Sequence, residues 1–270
     1  MGYMQYFAGL FDAEGYMTLG KDGHFSIGTE MANEEVPNIL QQTFGGKVYT
    51  RQRDNRKKTW TWLLATNNDL CMNFIEKIEP YSIIKKNQFL ILKDYLSNGR
   101  DLRRKIRDEV SHQLSMLKKP LPLTKEDINV PTEQIPDENF LRWLAGFFDG
   151  DGNFCIYEYQ GKKSIIFDSW ISVFNSFPEA ICIVKRRING SISKYKGAKF
   201  PIWKWVCCQK DSAFVCNSLF PFLRIKKHQC SLVSRFLEIK ETKIRELSYS
   251  FDQINEIRDI IKQIKHLNSL

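Results

Sequence analysis

The chain has 270 residues, 43% of them hydrophobic and 13% aromatic, enough for one large core or two ordinary ones and too apolar for a disordered chain. Its 40 Lys and Arg outnumber 31 Asp and Glu, giving a net charge of +9 and a pI near 9.1. That surplus favours a polyanionic partner. No apolar run is long enough to span a bilayer, which argues against a membrane role. The N-terminus, Met-Gly-Tyr-Met-Gln-Tyr, has neither a charged leader region nor transit-peptide character. The protein is therefore expected to act where it is made, in a bacterial cytoplasm or in a mitochondrion or chloroplast that encodes it, and not to be secreted.

Starting from the N-terminus, residues 3–14 carry apolar side chains at helical spacing, with Gly15 as a stop. Strands are expected at 15–20 and 24–31, around the turn Lys21-Asp22-Gly23. An amphipathic helix over 34–44 ends at Gly45-Gly46. A second hairpin follows at 47–53 and 59–66, then helices at 69–78 and 87–97. Residues 98–136 read as a linker, charged and partly helical from Arg100 to Arg107, and extended at Lys118-Lys119-Pro120-Leu121-Pro122. The pattern then restarts: a helix at 139–151, strands at 153–159 and 164–174, a helix at 179–189, strands at 191–195 and 200–209, and helices at 211–219 and 229–240. A last helix over 251–265, with Ile254, Ile257, Ile261 and Ile264 at helical spacing, is expected to pack without chemistry.

The restart is a duplication. Residues 7–15 read FAGLFDAEG and residues 144–152 read LAGFFDGDG, which puts Asp149 137 residues after Asp12. Ile-Lys-Lys-Asn-Gln at 84–88 recurs as Ile-Lys-Lys-His-Gln at 225–229, 141 residues on, and Trp60-Thr61-Trp62 recurs as Trp203-Lys204-Trp205, 143 residues on. Three landmarks in one order at nearly one offset mean two copies of one unit, with boundaries at 1–98, a linker at 99–136, a second copy at 137–250 and a packing helix at 251–270. Cys71, Cys155, Cys182, Cys207, Cys208, Cys216 and Cys230 are odd in number and without a CxxC pair, so they read as reduced, mostly buried thiols rather than a disulfide or zinc framework.

The two nine-residue motifs, each followed by the same element order, resemble the LAGLIDADG homing endonuclease family in its two-motif, single-chain form. Phe7, Phe11 and Glu14 replace Leu, Ile and the second Asp in the first motif; Phe147, Phe148 and Gly150 occupy the variable places of the second. The resemblance implies an α+β fold of two pseudo-symmetric αββαββα subdomains, their antiparallel sheets forming a DNA-binding saddle, with the motif helices packed at the subdomain interface. The residues agree with close helix packing: Ala8-Gly9 and Ala145-Gly146 leave nearly bare backbone on a helix face, although tight packing within one unit would also use them.

The implied activity is sequence-specific, metal-dependent cleavage of double-stranded DNA, one phosphodiester per strand, by a monomer at a long pseudo-palindromic or asymmetric target. The eighth motif residue binds the metal in the family, which carries over to Glu14 and Asp151. A carboxylate at a helix C-terminus is disfavoured by the helix dipole, and a hard divalent cation, Mg²⁺ with Mn²⁺ as substitute, would offset that penalty. Asp12 and Asp149, at the sixth motif position, read as structural. The resemblance places Lys85 and Lys226 close to the cleaved phosphate, whereas Lys86 and Lys227 read as solvated. Gln88 and Gln229 are weaker candidates. For the family's further polar residue, the corresponding places hold Thr29 and Val173, with no clear counterpart.

Strand alternation gives each sheet an outer face. In the first copy that face collects Thr18, Ser26, Glu30, Lys47, Tyr49, Arg51, Arg53, Thr59 and Thr61, with Val48, Thr50, Trp60, Trp62 and Leu64 turned inward. In the second it collects Tyr157, Tyr159, Asp168, Trp170, Ser172, Ser193, Tyr195 and Lys204. A solvated face needs no function, but this mixture of donors suits base edges in the major groove, and the basic segments 53–58 and 194–199 suit phosphates. An RNA-binding intron maturase on the same fold is the alternative reading. An intein nuclease is disfavoured by the missing terminal splicing residues, and a regulator with a retired site by the presence of both acids.

Overall fold

The computed structural model describes residues 3–20, 23–52, 57–65, 67–119, 123–124, 131–132, 136–162, 164–195, 201–208, 210–243 and 249–269. Contacts divide the chain into two compact units: residues 1–122 with 142–150, and residues 123–141 with 151–270. The helix carrying the second motif is thus shared between them, where the sequence repeat would place it whole in the second copy.

In the first unit, α1 (Tyr3–Glu14) leads into the hairpin β1 (Gly15–Leu19) and β2 (Phe25–Met31). Then come α2 (Glu35–Phe44), β3 (Lys47–Arg51), β4 (Thr59–Ala65), α3 (Asn68–Ile78), a 3-10 turn at Glu79–Tyr81 and α4 (Lys86–Ser97). The strands form an antiparallel sheet of order β1-β2-β4-β3. Polar side chains start the helices: Asn33 Oδ1 accepts from the Val36 N–H, and Asn67 Oδ1 from Leu70 N–H. Gly45 and Gly46 end α2 with φ of 75° and 87°, which side chains rarely adopt. Trp62 Nε1 donates to the Gly45 carbonyl at 2.9 Å, so the turn and the core fix each other.

The core under this sheet is aromatic. Phe7, Phe11, Phe44, Trp62, Phe74 and Phe89 are all buried and meet edge-on or tilted. Each such side chain contributes roughly 1.5–3 kcal/mol by burial. Trp60 faces the same way but lies half-buried at the sheet margin, with Lys58 Nζ 4.7 Å from its ring centre. Thr50, expected inward, is exposed.

The charged stretch expected to be a linker is largely α5 (Arg100–Met116), a helix that packs on α4 and β1. Val110 and Leu114 are buried, and Ser111 Oγ donates to the Leu19 carbonyl at 3.1 Å. The helix therefore covers the free edge of β1, a place where unpaired backbone would otherwise invite association. The prolines 120 and 122 lie outside the described residues.

In the second unit, α6 (Glu138–Asp151) begins with Asp137 Oδ1 accepting from Phe140 N–H. It runs into β5 (Gly152–Gln160) and β6 (Ile165–Asn175), then α7 (Pro178–Arg187), β7 (Ser191–Tyr195), β8 (Ile202–Cys208), α8 (Lys210–Leu219), α9 (Lys227–Lys243) and α10 (Phe251–Ser269). The sheet order, β5-β6-β8-β7, repeats the first. Here α10 covers the edge strand: Arg258 makes a paired contact with Glu158, and Asn268 Nδ2 donates to the Phe154 carbonyl. Ile257, Ile260, Ile261 and Ile264 form its buried stripe, with Ile254 less buried than its spacing suggested. None of the seven cysteines is in a disulfide; Cys208 is exposed, Cys155 half-buried and the rest buried. Burial alone pushes the Cys71 thiol up to about 12, and burial is the main cause for Cys207, also near 12. No described helix is long and apolar enough to cross a membrane.

Candidate functional site

The motif helix α1 owes its position to bare backbone. Within the first unit, a Cβ on Gly9 would lie 1.7 Å from the Trp143 carbonyl oxygen, and one on Gly146 only 1.9 Å from the Tyr6 carbonyl oxygen. The approach of α1 to residues 142–150 of α6 is thus set by glycine at both contact points. Tyr6 OH donates to Asp149 Oδ2 at 2.7 Å across this contact.

Asp12 is almost fully buried, and its role is structural in every contact it makes. Oδ1 accepts from Ser82 Oγ at 2.6 Å and the Lys85 N–H at 3.0 Å. Oδ2 accepts from the N–H groups of Ile83 and Ile84 and from Trp143 Nε1, at 2.8, 3.1 and 2.9 Å. A buried carboxylate is tolerated only when so compensated. This one fixes the segment 82–85, and with it Lys85, against the end of α1.

Lys85 is 7% exposed, and its ammonium donates to the carbonyls of Phe11, at 2.8 Å, and Asp12. It caps the C-terminal turn of α1, offsetting the negative helix end immediately before Glu14. The family resemblance puts Lys85 beside a phosphate; here its ammonium lies on the carbonyls of the last turn of α1. Lys226 is half-buried, and its carbonyl accepts the Cys230 N–H at 3.0 Å as α9 begins. Lys86 and Lys227 are exposed, as expected, though Lys86 lies 3.6 Å from Glu79 and Lys227 sits over the Phe220 ring.

Glu14 and Asp151 close their helices at the junction with the first strand of each sheet, both half-buried. Glu14 borders Gly150, where a Cβ would meet Ala13 Cβ at 2.5 Å and Glu14 Cγ at 3.0 Å. Asp151 Oδ2 accepts from Asn175 Nδ2 at 2.6 Å, while Asn175 Oδ1 accepts from Phe177 N–H. Sequence reading missed Asn175. It lies one alternation past Val173, where a polar partner was sought, but Asn before Ser and Phe reads as the end of a strand. In the first unit the place of Asn175 holds Met31, and the place of Val173 holds Thr29, which is buried and whose hydroxyl has no partner among the described residues.

Among the described residues no three His, Cys, Asp or Glu side chains gather as a protein-made metal cage. One carboxylate per unit fits instead the habit of Mg²⁺, which takes one or two carboxylates and completes its shell with water and phosphate oxygens.

On the first sheet, Thr18, Lys47, Tyr49 and Arg51 are exposed and Ser26, Thr59 and Thr61 half-exposed; Arg53 lies outside the described residues. Glu30 accepts from Thr59 Oγ1 at 2.9 Å, and burial, with Glu30 adding to it, raises the Tyr16 phenol. On the second sheet, Tyr157, Tyr159, Trp170, Ser193 and Tyr195 are exposed. Two residues expected there at the surface are not: Asp168 is 8% exposed and Ser172 1%. Asp168 accepts from Lys240 Nζ at 2.7 Å and from the Tyr159 hydroxyl, because β8 ends opposite Trp170 and α9 reaches the uncovered edge of β6. Ser172 is a short side chain flanked by the larger Trp170 and Phe174 on the same face. Lys204 is half-buried, its ammonium 4.8 Å from the Trp170 ring centre and 5.2 Å from that of Phe174.

Comparison with known proteins agrees with this architecture. The family model described as LAGLIDADG-like domain matches residues 2–79. The intron-encoded RNA maturase bI4 of Saccharomyces cerevisiae is 25% identical over 213 residues, 77% of this chain, which spans only 28% of that protein's length. Crystal structures share the fold along nearly all of both chains. The I-LtrWI LAGLIDADG homing endonuclease bound to target DNA gives a TM-score of 0.68 at 16% identity, covering 97% of each chain. The meganuclease I-AabMI bound to uncleaved DNA gives 0.69 at 14%, covering 96% of this chain and 98% of the other. Residues 2–79 thus match a LAGLIDADG-like domain, and the chain as a whole shares the fold of crystallised LAGLIDADG homing endonucleases.

Proposed function

We propose that the protein is a sequence-specific endonuclease that cuts both strands of a duplex DNA target. The observation that carries this reading is the repeated placement of one acid, Glu14 or Asp151, where a motif helix meets the first strand of a four-stranded sheet with an exposed outer face. Crystallised proteins of the same fold include one bound to target DNA and one bound to cleaved DNA.

Glu14 in the first unit and Asp151 in the second would each hold a divalent cation, Mg²⁺ or Mn²⁺, which when bound supplies Lewis acidity and a more acidic water. Asn175 orients Asp151 by donating to Oδ2. Lys85 keeps a positive charge at the end of α1, where it offsets both the helix dipole and the Glu14 carboxylate. Lys85 and Lys226, at matching places before α4 and α9, are the candidates to face a phosphate. Thr18, Ser26, Lys47, Tyr49, Arg51, Thr59 and Thr61 present donors and acceptors to base edges.

The test begins with target selection from a randomised duplex library in Mg²⁺, then compares variants on the selected site. Glu14→Gln and Asp151→Asn should each lower cleavage by orders of magnitude while gel-shift binding in Ca²⁺ persists. Parental cutting by either variant would remove that residue from the metal site. The match to an RNA maturase supports a second reading, intron RNA binding on the same fold. Splicing activity by a chain that binds no duplex would favour it.

A further inference from the structure

The two sheets offer different chemistry to a ligand. The first presents exposed Lys47, Arg51 and Thr18 beside Tyr49. The second presents aromatic carbon. Tyr157 on β5 meets Trp170 on β6 edge-on at 5.1 Å, and Phe174 on β6 meets Tyr195 on β7 edge-on at 5.5 Å. Lys204 on β8 joins the two pairs by lying over both Trp170 and Phe174. The row thus crosses all four strands, and Tyr157, Trp170 and Tyr195 remain 48%, 39% and 48% exposed. Rings so exposed are not there to build the core, which lies on the opposite face with Phe167, Ile171 and Val173.

The polar groups among these rings are largely engaged with the protein itself. Asp168 is held by Lys240 and Tyr159, and the Cys155 thiol donates to the Trp170 carbonyl. Ser172 is buried, and Lys204 is committed to two rings. What remains for a ligand on this face is mostly ring carbon, with the hydroxyls of Tyr157 and Tyr195 at ring tips and Ser191 and Ser193 at one margin. In a major groove only one base-edge group is apolar, the C5-methyl of thymine, and it distinguishes a T·A pair without any hydrogen bond. The net charge of +9 supplies the attraction that brings a duplex to such a face.

We propose that the second sheet specifies its half of the DNA target through thymine methyl groups, with Trp170, Tyr157 and Tyr195 as the contact surface, while the first sheet reads its half by hydrogen bonds. This rests on the duplex-DNA reading above. The selected target should then be rich in T·A pairs in one half. Replacing dT by dU, one position at a time, removes only the methyl. In Ca²⁺ gel shifts with the unmodified protein, each such change in that half should weaken binding roughly fourfold, the fold-change that accompanies exposing one methylene-sized group. The same replacement in the other half should have little effect. Trp170→Ala should abolish the penalty at the positions that Trp170 covers, and Tyr157→Ser provides an independent check if the first variant folds poorly. Tight duplex binding that is indifferent to dU throughout would overturn this inference alone. Failure to bind any duplex would overturn it together with the reading it rests on.

Discussion

Among single residues, two buried polar side chains invite opposite expectations. Asp12 accepts from four backbone or side-chain groups of segment 82–85 and from the Trp143 indole. Asp12→Asn would turn an amide N–H₂ toward donors and remove the charge that strengthens the remaining bonds. The loss should be about 3 kcal/mol or more, seen as a lower denaturant midpoint, before any effect on catalysis is read. An Asp12→Asn variant as stable as the parent would contradict the role given to this carboxylate. Thr29 is the reverse case, a fully buried hydroxyl with no partner among the described residues. Thr29→Val should hold or raise stability, by up to about 2 kcal/mol, because the stranded hydroxyl goes and the shape stays. The corresponding place in the second unit already carries Val173. If the Thr29→Val variant melts unchanged or higher but cuts slowly, the hydroxyl is functional.

Elements differ in how much one side chain matters according to where on the face it lies. Trp62 and Trp60 alternate onto the same side of β4, yet Trp62 is fully buried among Phe44 and Phe74 while Trp60 sits at the margin under Lys58. Trp62→Ala should cost roughly 3–5 kcal/mol. Trp60→Ala should cost on the order of 1 kcal/mol, since little area is lost and water already reaches the ring. Equal losses in thermal unfolding would mean that the sheet margin is better covered than the structure has it. The edge strands follow a similar logic: α5 on β1 and α10 on β5 cover backbone that would otherwise be open to pairing.

For the protein taken entire, the basic surplus predicts how binding responds to salt. If the exposed lysines and arginines neutralise phosphates, log K should fall with log salt by roughly 0.9 for each phosphate contacted. A steep slope, measured by fluorescence titration between low and physiological salt, is the expected result. A nearly flat response would mean that charge does not drive association. Arg51→Ala should reduce the slope by about one unit if that side chain contacts a phosphate, and leave it unchanged if it reads a base.

The duplication, the order of elements in each copy, the motif helices and the junction acids Glu14 and Asp151 are all legible in the amino-acid order. These are local signals: hydrophobic period, glycine stops and a repeated motif, each readable over ten or so residues. The rest follows only from the folded chain, because burial and hydrogen bonding join residues far apart in sequence. Folding turns the charged linker into α5, since the uncovered edge of β1 offers that helix a partner. It draws Asp168 from the surface into contact with Lys240, 72 residues away. It gives Lys85 to the carbonyls of α1, 74 and 73 residues distant, and Asn175 to Asp151. Strand alternation can say which face a side chain takes. It cannot say which neighbour from elsewhere in the chain will cover that face, and that covering is what separates an exposed contact residue from a buried structural one.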